Sequence, residues 1–549
     1  MHAAAPEGRL ATAYRWLMAH QRVWLIVSWI ALTAAASMAW RHGTDAGAAW
    51  DETFHVRYGK RVLEWFRSDG VLDGALHYQN LYLYGGLFDL TAAWLSERSP
   101  LGHYETRHLL TAFVALFGAV GSWKLASLVA GPFAGFLAAT MLVLTPAWLG
   151  HGLFNPKDIP FGTGAIWAAY TATRLGVGPI PPRIRDVLFA GIALGLALAV
   201  RPGGLILLTY PVIALGARSA LQLFRRLQLL EPLGFSRLLI GAGWKIALVI
   251  AIAYPLMLST WPWAQLAPFV RPFEAVKQFM HFSWDNVVLF RGEFIPAPDL
   301  PREYIPVWFA ITLPETYLLA AFCALVGLAR LTRKHAFVRP ERVIGIGMVA
   351  VAAFLPLAAA VVLRPPVYDA HRHFLFLLPP LAALAGVALA SVLREQELKL
   401  WLRGSVAGVW IALCIVTCVD IVQLHPYEYI YFNRLFGGLQ AANGRYETDY
   451  WGVAYKEAFM WVVKNVPPVH PGRPTRIASC NNNTNERMTY YLGRVPGAKE
   501  SFEIVRGYGR ADLFVAMTRF RCHDVPGQVL ATVERQGVPL VYVIRTTNK

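Results

Sequence analysis

The sequence predicts a polytopic α-helical membrane protein of about 11 spans with a small α/β domain at its C-terminal end. Three observations carry this reading. Of 549 residues, 56% are hydrophobic and only 15% charged, the balance of a chain that faces lipid. Apolar runs close to the ~20 residues that cross a bilayer recur up to residue 422. From residue 475 the pattern changes to short apolar runs between turns, the signature of strands.

Spans are expected near 22–40, 109–128, 131–149, 160–178, 187–200, 203–217, 244–261, 306–329, 343–362, 373–392 and 403–422. Ser37-Met38-Ala39 resembles a cleavage site, but the long leader and the many later spans make the first run an uncleaved anchor. Arg183 and Arg185, then Arg218 to Arg237, then Arg330 to Arg342, then Arg394 to Arg403 fall in alternate loops. The positive-inside rule makes that side cytoplasmic, so the N-terminus is expected inside and residues 423–549 outside. Residues 81–95 are apolar but short and carry Asp89. Counted as a span they would invert every later loop, so they are read as a helix on the outer surface. The basic residues, net charge +17, lie in loops between apolar segments, which argues against a nucleic-acid partner. Residues 1–422 then form a transmembrane domain and 423–549 an outer α/β domain.

The outer loops carry the chemistry. The first, 41–108, opens with Asp51-Glu52. After the pair, Phe54, Tyr58, Val62, Trp65 and Phe66 recur at helical spacing among basic residues, as in a helix lying in the interface with its aromatic face in lipid. Locally, Asp51 reads as the N-cap of that helix. The second loop contains Asn155-Pro156-Lys157-Asp158. Charges so close to a span are costly and point to function, although Asp158 also suits a cap and Lys157 its ion-pair partner. Arg201-Pro202-Gly203 interrupts an apolar run, either as a turn with a snorkelling cation or as a fixed charge for a lipid phosphate. The Pro-rich loop 262–305, with His281 and Trp284, is too long for a simple connector and suits a lid or substrate groove. Tyr368, His371, Arg372 and His373 precede the next-to-last span. The two histidines lack the partner spacing of a metal site, whereas Arg372 suits bidentate phosphate binding.

Past the last span, an aromatic stretch at 427–433 and the run Tyr446-Glu447-Thr448-Asp449-Tyr450-Trp451 suit headgroup or sugar contacts. Strands are expected at 476–478, 502–505, 512–515, 529–533 and 538–544, with a helix near 485–492. Cys480 and Cys522 are the cysteines expected outside. With the strand register unknown, the sequence leaves open whether they pair.

The ordered set resembles the polytopic glycosyltransferases of the C superfamily (the GT-C type) that use polyprenyl-phosphate sugars, such as protein O-mannosyltransferases and aminoarabinose transferases. Asp51-Glu52 looks like their first acidic motif and Asn155-Pro156-Lys157-Asp158 like their second acidic loop. Arg201-Pro202-Gly203, Glu303-Tyr304-Ile305-Pro306-Val307 and Arg372-His373-Phe374-Leu375-Phe376-Leu377-Leu378-Pro379 resemble later motifs, so the match runs in order over residues 20–395. The chain departs from the named relatives in lacking a His-rich large loop and in having the 446–451 segment. The donor class therefore carries over better than the acceptor.

The resemblance implies inverting transfer of one sugar from a polyprenyl-phosphate donor to a hydroxyl of an envelope lipid, glycan or protein, at the periplasmic face of a bacterial inner membrane. Asp51 is the candidate base, with Glu52 and Asp158 as orienting carboxylates. Arg201, Arg372 and Lys157 are candidates for the lipid phosphate. His281, Trp284, Tyr368 and His371 are candidates for the sugar or acceptor. No cofactor is implied, and room remains for a divalent cation. The rival reading is a non-enzymatic transporter or flippase of a lipid-linked sugar, which expects buried charges nearer the bilayer midplane.

Overall fold

The computed structural model describes residues 14, 18, 20–230, 234–280, 282, 284–334 and 339–547. The chain opens with α1 (Gln21–His42), α2 (Glu52–Arg67), α3 (Leu87–Ser96), α4 (His103–Ala130), α5 (Pro132–Val143), α6 (Pro146–Phe154), α7 (Asp158–Val177) and α8 (Ile184–Leu198). A 3-10 turn, Pro202–Leu208, leads into α9 (Thr209–Gln228), followed by α10 (Phe235–Leu258) and α11 (Arg271–Met280). A hairpin of β1 (Val287–Phe290) and β2 (Glu293–Pro296) precedes α12 (Tyr304–Thr312), α13 (Glu315–Lys334) and α14 (Pro340–Leu363). A second 3-10 turn, Arg372–Leu377, starts α15 (Leu378–Leu393), and α16 (Leu400–Leu424) ends the bundle.

This is a multi-pass membrane protein. Among the described residues, seven helices are long and apolar enough to cross a bilayer, or nine counting the bent pairs α5–α6 (63°) and α12–α13 (102°). Each break falls where Pro146 or Pro314 cannot continue the preceding helix. The other two expected spans fall on α7 and α8. α8 is 15 residues long; α7 has the length but is diluted by Asp158, glycines and threonines that its interior position tolerates. The share of buried residues separates centre from rim: 83% in the window of Arg372–Leu393 against 11% in that of Gln21–His42. Ile26, Trp29 and Ile30 of α1 and Ile415 and Val422 of α16 are exposed, as lipid-facing side chains are. At Gly386 a Cβ would meet the Ala134 carbonyl oxygen at 2.5 Å, so glycine there lets α15 lie directly on α5.

Residues 81–95 form a 3-10 turn and the ten-residue α3, too short to cross. The expected placement of α2 needs correction. Its aromatic face does not enter lipid, because Tyr58 and Val62 are buried in protein. Gly59 allows the approach: a Cβ there would meet the Asp89 carbonyl oxygen at 2.3 Å. The pairing of His55 Nδ1 with Asp89 Oδ2 at 2.8 Å, and the Arg107 ion pair to the same carboxylate, then lock α2 against α3 and α4.

Residues 425–455 fold back onto the bundle. The sheet domain follows with α17 (Tyr455–Asn465), β3 (Thr475–Ser479), α18 (Asn482–Leu492), β4 (Phe502–Ile504), β5 (Leu513–Met517), β6 (Gln528–Arg535) and β7 (Val538–Arg545). The strand order is β4-β3-β5-β7-β6, with β3 parallel to both neighbours and the remaining pairs antiparallel. All five expected strands and the expected helix are present within a few residues. Cys480 and Cys522 form a disulfide, their Cα atoms 6.0 Å apart. The register that the sequence left unknown puts the end of β3 beside the turn after β5.

The domain grips the start of the first loop. Tyr491 Oη accepts from Ala48 N at 2.7 Å, Arg487 donates to the Ala48 carbonyl, and Trp50 N donates to the Trp451 carbonyl at 2.9 Å. The residues just before Asp51 are therefore held by the chain's last quarter.

Candidate active site

Three backbone breaks meet at one end of the bundle: the turn before α7, the 3-10 turn before α9 and the 3-10 turn before α15. Asn155 shapes the first. Its Oδ1 accepts from Asp158 N at 2.9 Å and Lys157 N at 3.2 Å, and its Nδ2 donates to Asp158 Oδ2 at 3.0 Å. The carboxylate is thus fixed by its own turn. Arg201 meets Asp158 Oδ1 at 2.5 Å, and Arg372 Nη1 lies 3.5 Å from Oδ2.

The charges continue as a ladder. Arg372 Nε lies 3.0 Å from Asp369 Oδ2. Asp369 also takes the Trp451 indole N–H at 3.0 Å and pairs with Arg519, which reaches Glu447 at 3.3 Å. Arg372 is sandwiched between Tyr368 and Trp451, 4.9 and 4.8 Å from the ring centroids. Burial raises the Asp369 carboxyl, but Arg519 and Arg372 outweigh it and hold the group below its usual range. Burial pushes Glu447 up to about 7, opposed only in part by Arg519 and reinforced by Asp369. Of the two carboxylates beside Arg519, Asp369 is the one kept ionised.

Asp51 stands at the N-cap position of α2 but makes no side-chain cap. Among the described residues its carboxylate has no hydrogen bond or ion pair. Glu52 turns back to the preceding loop, with Oε2 accepting from Ala49 N at 2.7 Å and meeting His108 Nε2 at 3.0 Å. Asp51 is left half-buried, within electrostatic reach of Arg372 and Tyr368.

The structure brings Asp51, Asp158, Arg201 and Arg372 together and turns Glu52 away, into the support of the loop that presents Asp51. Lys157 is nearly enclosed, its ammonium 4.8 Å from the Tyr84 ring centroid. Trp284 and Tyr368 stack in parallel, centroids 4.4 Å apart. His371 is sunk beside Trp308 and Phe309, and neither ring nitrogen has a partner among the described residues. Burial pushes its imidazole down to about 4, so it is neutral. His281 lies outside the described residues. Sequence reasoning missed Asp369, Arg519 and the role of Trp451. Asp369 lay between Tyr368 and His371 and Trp451 within 446–451, whereas Arg519 carried no local signal.

Next to the cluster is a cavity of about 350 Å³ lined by Tyr84, Arg201, Tyr368 and His373 at its polar end and by Ile206, Leu363 and Phe376 elsewhere. Arg201 is its exposed cation, at 18% side-chain exposure against 2% for Arg372. Neither Nε nor Nη1 of Arg372 has a hydrogen-bond acceptor in good geometry among the described residues. The arrangement offers an anion the Arg201 guanidinium, with Arg372 buried behind it, an apolar continuation for its tail, and an unengaged carboxylate nearby.

No family model matches the chain, and no curated protein matches it. Among solved structures it is similar to ArnT from Cupriavidus metallidurans in the apo state, at 14% identity over 94% of this chain and 98% of that one, with a TM-score of 0.47. The same protein bound to undecaprenyl phosphate is matched at 14% identity over 95% and 97% of the two chains, with a TM-score of 0.45. The oligosaccharyltransferase of Archaeoglobus fulgidus is matched at 13% identity over 88% of this chain and 65% of that one, with a TM-score of 0.43.

Proposed function

We propose that the chain is a glycosyltransferase that moves one sugar from a polyprenyl-phosphate donor to a hydroxyl of an envelope lipid, glycan or protein, with inversion. The observation that carries this reading is the Asp158–Arg201–Arg372 cluster, beside a cavity that is cationic at one end and apolar beyond. The acceptor oxygen attacks the anomeric carbon as the bond from that carbon to the phosphate oxygen breaks. The hydroxyl proton passes to Asp51, the carboxylate with no partner of its own among the described residues. The phosphate leaves with the bonding pair, and its charge develops against Arg201, with Arg372 behind it. Asp158, engaged by Arg201 and Asn155, holds the arginines rather than a proton. A transporter is less well matched, because these charges gather at helix ends on one side of the bundle rather than along a path through it.

Glycosyl transfer from undecaprenyl-phosphate sugars to envelope extracts, by purified protein in detergent, tests the reading. Arg201→Ala is expected to weaken donor binding at least about tenfold, the scale of one charged hydrogen bond. Donor affinity equal to wild type would remove Arg201 from the phosphate site.

The reading also requires the cluster on the outer face and the N-terminus in the cytoplasm. Phe235→Cys, in a background stripped of free thiols, is expected to resist a membrane-impermeant maleimide in intact cells. Labelling from outside would reverse the orientation.

A further inference from the structure

At the end of the bundle that carries the sheet domain, three side chains from two segments far apart in sequence meet. His42 is the last residue of α1, Asp45 lies in the turn after it, and His425 follows the end of α16. Asp45 Oδ2 is 2.9 Å from His42 Nδ1 and 3.1 Å from His425 Nε2, and the three donor atoms lie within 4.8 Å of one another. The imidazoles stand edge to face at 84°.

His425 is held on both sides of its ring. Its Nδ1 lies 2.6 Å from Glu428 Oε1, a carboxylate that is 1% exposed. A neutral imidazole that donates from Nδ1 to Glu428 presents a lone pair, not a proton, at Nε2. That lone pair faces the Asp45 carboxylate. A cation placed between the two would meet a ligand atom on each side.

We propose that His42, Asp45 and His425 bind a divalent transition-metal ion of the zinc class, with Glu428 orienting His425 from behind. Two imidazole nitrogens and one carboxylate oxygen suit zinc and disfavour magnesium or calcium. Ligands at zinc bond lengths stand about 3.3 Å apart in a tetrahedron, so small rotations of the three side chains open the site. The carboxylate on the far ring nitrogen is the usual partner of a zinc-bound histidine. The backbone is already fixed. Lys456 Nζ donates to the carbonyls of Thr44, Asp45 and Ala46 at 2.7–3.3 Å, and Arg535 Nε to the His425 carbonyl at 3.1 Å.

The ion would clasp the end of α1 to the end of α16, on backbone that Lys456 and Arg535 of the sheet domain already hold. It would also set the start of the segment that carries Tyr429 to His151 and Phe154, behind the Asn155 turn. This clasp stands apart from the sugar-transfer reading and survives its failure.

Full-length protein in detergent, stripped with EDTA and desalted, is titrated with Co²⁺ and separately with Zn²⁺. A single equivalent is expected to bind, with the intense visible bands of low-coordinate Co²⁺ and their displacement by Zn²⁺. Binding should weaken from pH 7.5 to 5.5 as the imidazoles protonate. His42→Ala, at an exposed helix end, and His425→Gln are expected to abolish the bands, and Glu428→Gln to weaken affinity about 10–100-fold. No stoichiometric binding in the wild type leaves the three side chains as a hydrogen-bonded cluster and overturns the proposal. Equal binding in wild type and both histidine variants places the ion elsewhere and overturns it too.

Discussion

Asp51→Asn is expected to lower turnover about 100-fold or more while leaving donor affinity unchanged. The substitution keeps size and shape and removes only the basic oxygen. The fold should not notice, because Asp51 makes no side-chain contact that caps α2. Glu52 ties the loop before α2 through Ala49 and His108, and Trp451 and Tyr491 hold the preceding backbone. A positioned general base contributes about 10²–10⁴ in rate, or roughly 3–5 kcal/mol of barrier. In the proposed reading the donor phosphate meets arginines rather than Asp51, so its dissociation constant should stay put. Single-turnover transfer at saturating donor, beside equilibrium donor binding, separates the two quantities. Full turnover in the variant would remove Asp51 from the chemistry and leave Asp158 as the remaining carboxylate to test.

Arg372→Ala is expected to cost about 3–5 kcal/mol of stability, because it leaves buried carboxylates short of a cation. Arg372 and Asp158 are each 2% exposed, and Arg372 sits between Asp158 and Asp369 as well as between two aromatic rings. Its loss removes charge and packing together. Thermal unfolding in detergent, followed by intrinsic tryptophan fluorescence, measures the effect. The double variant Arg372→Met with Asp369→Asn takes out one charge of each sign and restores apolar volume. It is expected to recover part of the lost stability, as replacing whole buried pairs often does. An unchanged melting temperature in Arg372→Ala would mean that the ladder is not a stabilising unit. Arg201→Ala is the contrasting case: Arg201 is partly exposed, so its removal should tell on donor binding more than on folding.

The parts of this protein legible in its sequence were those governed by local rules. Apolar run length identified the spans, and alternation between turns located all five strands of the C-terminal sheet. The acidic pair and the Asn155-Pro156-Lys157-Asp158 turn drew attention because charge beside a span is costly wherever the chain goes next. The errors were also local. The amphipathic face of α2 was read as lipid-facing because period alone does not say what covers it. Asp51 looked, from its immediate neighbours, like a cap because its residue type fits one, whereas its side chain makes no capping bond.

Composition and periodicity thus determined by themselves that the chain enters a membrane, where its apolar spans and C-terminal strands run, and which loops hold charge next to lipid. Only the tertiary structure decided which charges meet. Asp158 pairs with Arg201 across 43 residues, Asp369 with Arg519 across 150, and His425 with Asp45 across 380. It also decided that Cys480 and Cys522 pair and that the last quarter of the chain presents Asp51. The physical reason is range. Run length, turn chemistry and helical period act over a few residues, and a single sequence records them directly. An ion pair between distant residues depends on how helices pack and on the register of a sheet, and nothing in the residues flanking Arg519 encodes where Asp369 will be.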